Sequence, residues 1–311
     1  MPSMINSFDD LFAPEQAIED DLTRFHDINL VVMREDQNHK LIPGNKARKL
    51  KYNLGYVHQQ NCSAMLSFGG AYSNHILALS VAGKIESIKT IGIIRGDELN
   101  DQALNPVLQQ AQDNGMELVF VSREEYKRRN DEDYHQQLKQ YWGNVHIIPE
   151  GGSNSLGIQG ASELVTGLSR HYDYIICACG TAGTLAGIIH GLYSSGARLT
   201  CSLGIAVLSA SDAYWSDVIN KFIGADMAAK AAWKINIDYH HGGYAKSSPQ
   251  LVDFINRFEF EHNIPLDPIY TGKLFYAVYK MMEAHYFPKG SSLLLVHTGG
   301  LQTLQLCSVS G

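Results

Sequence analysis

The sequence predicts an α/β protein in which parallel or mixed sheets are flanked by helices on both faces. From residue 51 onward, short apolar runs of strand character alternate with segments whose apolar residues recur at helical spacing. Such alternation predicts βαβ units, whose crossover helices cover both faces of a sheet. The length of 311 residues exceeds that of most single domains, so we expect one large or two modest domains.

The predicted elements follow one another in a regular order, strands being assigned to short apolar runs and helices to longer periodic segments. In the first half they are helix 51–60, strand 64–68, helix 75–83, strand 90–95, helix 101–113, strand 117–122, helix 124–141 and strand 145–149. In the second half they are helix 156–169, strand 172–179, helix 185–193, strand 199–207, helix 214–223, strand 234–239, helix 248–262, helix 272–285 and strand 292–296.

Composition excludes several classes of function. The formal net charge of −7 and the lack of basic runs argue against nucleic acid as a partner. No apolar run is long enough to cross a membrane, and residues 1–25 do not resemble a signal peptide. Five cysteines then predict reduced thiols in a cytoplasmic protein. Cys177 and Cys179 lack a matching His/Cys pair, so we expect core thiols and no metal site.

Two lysines fall in the first turn of a helix predicted to begin at Asn45, a favoured N-cap residue. A cation is unfavourable there, because the N-terminus is the positive end of the helix dipole. Lys46 and Lys49 therefore allow two interpretations. They form an ordinary solvated helix face, or one lysine binds a phosphate while Lys46, with its pKa lowered by burial and by its neighbour, reacts as a neutral Schiff-base amine.

A Gly-Gly turn at residues 69–70 separates a predicted buried strand from the next helix. Glycines let backbone approach a ligand closely, and the helix start offers free N–H groups. Ser73, Asn74 and His75 follow this turn, where a small carboxylate would be held. The alternative is a generic strand–turn–helix unit with a polar cap.

A third helix start has the character of an anion site. An apolar strand runs into Gly180, Thr181, Ala182, Gly183 and Thr184. Small residues and hydroxyls between a strand and a helix form a cradle for phosphate. The segment lacks the lysine of a Walker loop and the spacing of a dinucleotide-binding loop, so it predicts a phosphate monoester.

Six segments, in order, carry a resemblance to a known family over nearly the whole chain. The chain resembles pyridoxal-phosphate enzymes of fold type II, the tryptophan synthase β-like fold, and among them the D-cysteine desulfhydrase and 1-aminocyclopropane-1-carboxylate (ACC) deaminase branch. The segments are Gly44-Asn45-Lys46-Ala47-Arg48-Lys49, Ser73-Asn74-His75, Pro149-Glu150-Gly151-Gly152-Ser153-Asn154, the 180–184 loop, Asp267-Pro268-Ile269-Tyr270-Thr271-Gly272-Lys273, and His297-Thr298-Gly299-Gly300.

The resemblance implies an architecture of two domains. Residues 1–50 and 151–311 would form a large domain that binds the cofactor, and residues 51–150 a small inserted α/β domain. The turn at 149–152 is the candidate crossing between them, with a matching one near 49–51. The ligand would lie in the cleft between the domains, and a homodimer is expected.

The resemblance also implies how pyridoxal 5′-phosphate would be held. Lys46 would form the Schiff base, because the residue after Gly-Asn is the family's attachment position. Lys49 and the 180–184 loop would hold the phosphate, and Asn74 would hydrogen-bond the cofactor's O3′. These groups supply the amine and the phosphate cup that this cofactor requires.

For a small amino-acid substrate, the resemblance implies that Ser73, Asn74 and His75 meet the carboxylate. Ser73 would also lie beside the substrate and take part in proton transfer. Tyr72 stands where the family commonly has Gln, and its bulk near the substrate is expected to change pocket size or specificity. Tyr244 and Tyr270 match family positions for neighbouring acid/base work.

Two threonines bear on the choice of substrate. ACC deaminases carry Glu directly after the tyrosine that matches Tyr270, which favours a protonated pyridine ring and a strong electron sink. Here that position is Thr271, and Thr298 offers a further hydroxyl where the deaminases have an apolar residue. A hydroxyl can hydrogen-bond the ring nitrogen without carrying charge. The weaker sink favours β-elimination of a good leaving group such as thiolate over cyclopropane opening.

Three functions are therefore compared. The leading one is a lyase that converts a small, D-configured amino acid such as D-cysteine to pyruvate, ammonia and sulfide. The second is ACC deamination, expected to be weak because Thr271 replaces the acid. The third is a non-catalytic protein that carries the cofactor, which Ser73 and the two tyrosines argue against.

Overall fold

The computed structural model describes residue 8, residues 11–166, residue 168 and residues 170–308. The strands are β1 Glu15–Ile18, β2 Asn29–Met33, β3 Ala64–Gly69, β4 Lys89–Arg95, β5 Met116–Val121, β6 Val145–Ile148, β7 Tyr174–Cys179, β8 Cys201–Ala206, β9 Trp233–Asn236 and β10 Ser292–Val296. The helices are α1 Asp21–His26, α2 Asn45–Gln59, α3 Asn74–Glu86, α4 Pro106–Asp113, α5 Arg123–Lys127, α6 Glu132–Trp142, α7 Ser155–Ser162, α8 Gly183–Ser194, α9 Asp212–Ile223, α10 Ala225–Lys230, α11 Pro249–His262, α12 Thr271–Glu283 and α13 Leu301–Ser308.

The strands form two separate sheets. The large sheet has the order β1-β2-β10-β7-β8-β9, and its neighbours are parallel except for β1 with β2. The small sheet has the order β5-β4-β3-β6 and is parallel throughout. This confirms the predicted α/β class with parallel and mixed sheets. The small sheet lies within residues 64–148, and the domain boundaries at 50 and 150 stay a prediction.

Successive residues of the central strands are buried on opposite faces of the large sheet. In β10, Leu293 and Leu295 join one hydrophobic cluster, whereas Leu294 and Val296 join a second. Strands buried on both faces read as continuous apolar runs, because helices cover each side. Cys177 and Cys179 belong to the second cluster and are buried in the core.

The predicted strands from β3 onward are present within three residues of their expected bounds, and four predicted helices differ. Helix 51–60 begins six residues earlier, at Asn45, as α2. Helix 101–113 begins only at α4, where Asn105 caps the helix and Pro106 occupies its first position. Helix 124–141 is divided into α5 and α6 by a 3₁₀ turn at Arg128–Asn130. Helix 156–169 ends at Ser162; residues 163–166 and 168 are not helical, and residues 167 and 169 lie outside the described part.

The structure also contains elements that sequence reasoning missed. They are β1, α1 and β2 near the N-terminus, the short helix α10, and α13. The β1 segment has four residues and forms the antiparallel edge of the large sheet, so its pattern is too short to stand out. None of the described helices has both the length and the apolar character needed to cross a bilayer.

A buried ion pair fixes the segment that leads into α2. Arg48 donates from Nε to Glu35 Oε2 at 2.7 Å and from its NH2 group to Glu35 Oε1 at 2.6 Å. Asn38 Nδ2 donates to the same carboxylate at 2.7 Å, and Asn38 Oδ1 accepts from the Gly44 N–H at 2.9 Å. Glu35 is fully buried, which raises its pKa, while Arg48 acts in the opposite direction. These buried hydrogen bonds therefore fix the position of the first turns of α2.

We expect Glu35→Gln to lower the free energy of unfolding by about 3 kcal/mol, because the buried Arg48 guanidinium loses its close counter-charge and keeps only the Glu163 carboxylate, 3.9 Å from its NH1 group. Denaturant unfolding measures the change. Glu117→Gln is the matched control, since Glu117 pairs with Lys89 at the surface, where ion pairs contribute little. Equal losses in the two variants would contradict this account of the buried pair.

Candidate active site

The start of α2 is pinned against the segment that follows β10. Gly44 pairs with Gly299 in an isolated antiparallel bridge, and the Asn45 N–H donates to the Thr298 carbonyl at 3.2 Å. Gly44 has φ +104°, and a Cβ there would lie 2.3 Å from the Thr298 carbonyl oxygen. Only glycine fits this close approach. Two segments about 250 residues apart in the chain thus form one wall of the site.

Asn45 has a different role from the predicted one. Gly44 is the N-cap of α2, and Asn45 is the first helical residue, so the predicted N-cap was wrong. The Asn45 side chain instead bridges two elements: its Nδ2 donates to Thr184 Oγ1 at 2.8 Å, and its Oδ1 accepts from Lys46 Nζ at 3.0 Å. The amide therefore orients the amine of Lys46 and joins α2 to the start of α8.

The amine of Lys46 loses its proton more readily than an ordinary lysine. Burial among protein atoms lowers its pKa from 10.5 to about 8, and the Asp267 carboxylate opposes this shift. Desolvation disfavours the charged form, which is the physical cause. A substantial fraction of Lys46 is therefore a neutral nucleophile near physiological pH.

Lys49 is buried in a setting that calls for an anion. Its Nζ donates to the Gly151 carbonyl at 3.1 Å and to Ser153 Oγ at 3.3 Å. Burial, and then the charge of Lys46, hold the pKa of Lys49 well below its usual range. A Cβ on Gly183, the first residue of α8, would lie 2.9 Å from Lys49 Nζ. The ammonium thus faces the positive end of a helix dipole.

The 180–184 loop leaves the first N–H groups of α8 available. Ala182 is the N-cap, has φ +59°, and among the described residues receives no side-chain cap. Thr181 Oγ1 lies 2.7 Å from Ser153 Oγ, which brings two hydroxyls to the same end of the helix. A Cβ on Gly180 would lie 3.0 Å from the ring of Tyr270. Free N–H groups, hydroxyls and Lys49 converge here.

Ser73 and Asn74 begin helix α3. Ser73 is its N-cap and accepts at Oγ from the Ile76 N–H at 3.3 Å. Asn74 Oδ1 accepts a hydrogen bond from the Thr303 hydroxyl, which ties α3 to α13. A Cβ on Gly300 would lie 3.4 Å from Asn74 Nδ2. This amide is therefore close to the segment after β10 that also contacts α2.

The His75 ring is buried beneath the wall of the site. Its Nε2 lies 2.9 Å from Ser67 Oγ, and that hydroxyl donates to the Ile148 carbonyl at 2.7 Å. Nε2 therefore carries the hydrogen, and Nδ1 has no hydrogen-bond partner among the described residues. Burial, Lys46 and Lys49 hold the pKa of His75 well below its usual range. The residue is thus a neutral imidazole near both lysines.

Asp267 and Thr271 form a closed local unit at the start of α12. Asp267 Oδ1 accepts from the N–H groups of Ile269 and Tyr270, and Oδ2 accepts from the Thr271 N–H at 2.9 Å and hydroxyl at 2.7 Å. Thr271 Oγ1 in turn accepts from the Asp267 N–H at 2.8 Å. The hydroxyl hydrogen of Thr271 is therefore already donated, and its side chain is fully buried.

The two candidate tyrosines lie side by side. Tyr270 OH donates to Tyr244 OH at 3.4 Å, and their ring centroids are 6.1 Å apart. Burial raises the pKa of Tyr270 well above its usual range, and Tyr244 adds to the effect. Tyr270 is therefore a neutral phenol that can donate a hydrogen bond. Tyr244 and Tyr72 are both exposed, Tyr72 by 54%.

Four residues help build this site although sequence reasoning gave three of them no role and gave Asn45 only that of a helix cap. They are Asn45, Ser153, Asp267 and Thr303. Asp267 had a local signal, because an Asp followed by Pro is typical of a turn in which the carboxylate accepts from the backbone N–H two residues on. Ser153 and Thr303 act on residues far away in the sequence, so no local pattern points to them.

The residues present fit a phosphorylated aldehyde such as pyridoxal 5′-phosphate. Lys49 and the uncapped start of α8 place two positive features together, and in the described part of the chain no carboxylate forms an ion pair with Lys49. A phosphate would supply the missing negative charge. Lys46 supplies an amine that is readily neutral, as reaction with an aldehyde requires.

Comparison with known proteins gives a consistent result. The putative ACC deaminase of Thermotoga maritima is 29% identical over 90% of this chain and 91% of its own. The bifunctional D-cysteine desulfhydrase/ACC deaminase of Arabidopsis thaliana, a mitochondrial protein, is 28% identical over 91% of this chain and 76% of its own.

Solved structures agree in fold. The crystal structure of an ACC deaminase homologue superposes with a TM-score of 0.79, at 26% identity, over 97% of this chain and 95% of the other. A fungal L-serine ammonia-lyase from Rhizomucor miehei shares the fold, with a TM-score of 0.66 at 16% identity over 95% and 97% of the two chains. The family model described as "Pyridoxal-phosphate dependent enzyme" matches residues 20–299. The chain therefore belongs to the family of pyridoxal-phosphate-dependent enzymes.

Proposed function

We propose that this enzyme is a lyase that removes the β-substituent and the amino group of a small D-amino acid, with D-cysteine as the expected substrate. D-Cysteine and one water would give pyruvate, ammonia and sulfide. The relatives named as D-cysteine desulfhydrase and ACC deaminase support this branch of the family. The observation that carries the proposal is the amine of Lys46, with a pKa of about 8, beside a buried anion site.

The cofactor supplies an electron sink for the negative charge that develops at the substrate Cα. The chain's own residues do the rest. Lys46 would attach the cofactor, and its neutral amine would take the Cα proton of the substrate. Asn45 holds this amine in place through its Oδ1. Lys49, Thr181 and the first N–H groups of α8 bind the phosphate.

The start of α3 receives the substrate carboxylate. Ser73 and Asn74 stand at its N-terminus, where backbone N–H groups and the helix dipole favour an anion. His75 contributes its backbone N–H, because its ring is buried against Ser67. Tyr72 is exposed next to Ser73 and limits the size of the substrate side chain.

The two tyrosines act as proton donors. Since burial raises the pKa of Tyr270, its phenol keeps its hydrogen near neutral pH and donates it toward Tyr244. Tyr244 is the more exposed of the two and passes a proton to the departing sulfur. A thiolate needs less assistance than a carbon leaving group, so this pair suits β-elimination.

Of the two threonines, Thr298 is the better partner for the ring nitrogen. The Thr271 hydroxyl hydrogen is donated to Asp267, whereas the Thr298 side chain is partly exposed and, within the described residues, has no hydrogen-bond partner. Either residue is uncharged, unlike the Glu expected of a deaminase at position 271. A neutral partner gives a weaker electron sink, which favours D-cysteine over ACC.

ACC deamination is the second candidate, because several relatives carry that name. A pure cofactor carrier is a third, and the paired tyrosines argue against it. The division into domains at residues 50 and 150, with the substrate between them, a homodimer, and a cytoplasmic location stay proposals that rest on the family resemblance.

Lys46→Ala is expected to lose the visible absorbance of the bound cofactor and at least about 10⁴-fold in turnover, because no other amine takes its place. Absorption spectra and pyruvate release measure the two effects. Lys289→Ala, at an exposed position, is the control and should behave like the parent enzyme. A coloured, active Lys46→Ala enzyme would exclude the assignment.

The rate at which cofactor-free enzyme takes up pyridoxal phosphate should rise with pH and level off above about pH 8. Only the neutral amine reacts, so below its pKa the rate falls about tenfold per pH unit. Asp267→Asn should move the midpoint to lower pH, because Asp267 raises the pKa of Lys46. A midpoint near the ordinary lysine value would show that the amine is not perturbed.

Among D-cysteine, D-serine, L-cysteine and ACC, we expect D-cysteine to give the highest kcat/KM. The physical reason is the neutral ring partner, which is adequate for loss of thiolate and poor for opening a three-membered ring. Pyruvate and sulfide are measured for the first three substrates and 2-oxobutanoate for ACC. ACC as the best substrate would overturn the argument from Thr271, and bound cofactor without any product would favour the carrier.

A further inference from the structure

Lys273 is a buried ammonium to which the proposed chemistry gives no role. It lies in the first turn of α12, and its side chain is fully buried. Its Nζ donates to the His240 carbonyl at 2.9 Å and to the Gly243 carbonyl at 2.7 Å. Both carbonyls belong to the loop that carries Tyr244. One side chain on the helix of Tyr270 therefore holds the backbone beside Tyr244.

This loop has a backbone that needs support. Four of its residues have positive φ: His241 at 52°, Gly242 at 90°, Gly243 at 112° and Ala245 at 56°. Non-glycine residues in this region cost free energy and persist where the surroundings fix them. In the described part of the chain, the loop's other hydrogen bonds run within residues 240–248, apart from the contact between Tyr270 and Tyr244.

A lysine at this position is energetically unfavourable. An ammonium near the start of a helix opposes the dipole, and burial lowers the pKa of Lys273 to about 8. The nearest opposing charge is Asp267, whose oxygens already accept from backbone N–H groups and from Thr271. An apolar side chain would fill the space without desolvating a charge. What the ammonium adds, and an apolar side chain could not, is the pair of hydrogen bonds to the His240 and Gly243 carbonyls.

The same arrangement brings the two phenols together. Tyr270 precedes α12 and packs against Gly180, where a Cβ would lie 3.0 Å from its ring. The Tyr244 hydroxyl oxygen lies 3.4 Å from that of Tyr270. We infer that Lys273 is a positioning residue, which fixes the 240–246 loop so that the Tyr244 phenol stays beside Tyr270 during the reaction. This inference rests on the proposed lyase function.

A double-mutant cycle tests whether Lys273 acts through Tyr244. Lys273→Met removes both hydrogen bonds at similar volume, and it should lower kcat by up to about 100-fold with little change in KM. In a Tyr244→Phe background the same change should cause no further loss, because the group that it positions is gone. Losses that multiply in the double variant would overturn the inference. Lys280→Met, on the exposed end of α12, is the matched control and should keep the parent kcat.

A second readout does not depend on turnover. Chymotrypsin cleaves after Tyr244 and trypsin after Lys246, and the fragments are identified by mass. Cleavage of the Lys273→Met holoenzyme at these two sites should be at least about tenfold faster than in the parent, since the opening free energy of the loop falls when its anchor is lost. Cleavage at an unchanged rate would overturn the inference.

The kinetic and proteolysis experiments together distinguish failure of this inference from failure of the proposed function on which it rests. If the parent enzyme converts none of the amino acids tested, the proposed lyase function fails, and proteolysis still decides the role of Lys273. Cofactor absorbance and the thermal unfolding midpoint confirm that each variant is folded. Should Lys273→Met not fold, Lys273→Gln replaces it, because glutamine keeps a donor on a shorter side chain. The loop of the Lys273→Gln enzyme should be cleaved faster than that of the parent, and a parent-like rate would overturn the inference.

Discussion

The site depends on two lysine amines placed beside the positive ends of helices. Lys46 and Lys49 are the second and fifth residues of α2, and Lys49 also faces the uncapped start of α8. Each of these arrangements is unfavourable by itself, since desolvation and the dipole both disfavour an ammonium there. Together they form a place where an anion and an aldehyde are stabilised. The same unfavourable terms lower the pKa of Lys46 and make its amine reactive.

The protein stabilises this arrangement from behind the site. The Glu35–Arg48 pair and Asn38 hold the entry to α2, and the backbone bridge between Gly44 and Gly299 closes it from the other side. Asn45 then orients the amine itself. Rigid support of this kind matters, because catalytic groups lose effectiveness with displacements of about 1 Å. The buried polar groups outside the site therefore serve the chemistry as well as the fold.

Local patterns were enough to predict the α/β class and the three helix starts that carry the candidate residues. Lys46 and Lys49 could be singled out from the sequence because cations are unfavourable near a helix N-terminus. The hydrogen-bond partners of the residues in this segment could not be predicted, because they are far away in the sequence. Asn45 reaches Thr184 across 139 residues, and Lys49 reaches Ser153 across 104. The bond from the nearby Thr271 to Asp267 could not be predicted either, since it depends on the turn geometry at the start of α12.

The bridge between Gly44 and Gly299 also bears on how the enzyme matures. Residues near position 45 leave the ribosome long before those near position 300, yet the wall of the site needs both. Until that late segment is available, the start of α2 lacks its backbone partners Thr298 and Gly299. The wall of the site therefore closes only after the segment following β10 has left the ribosome, long after the two early lysines have done so.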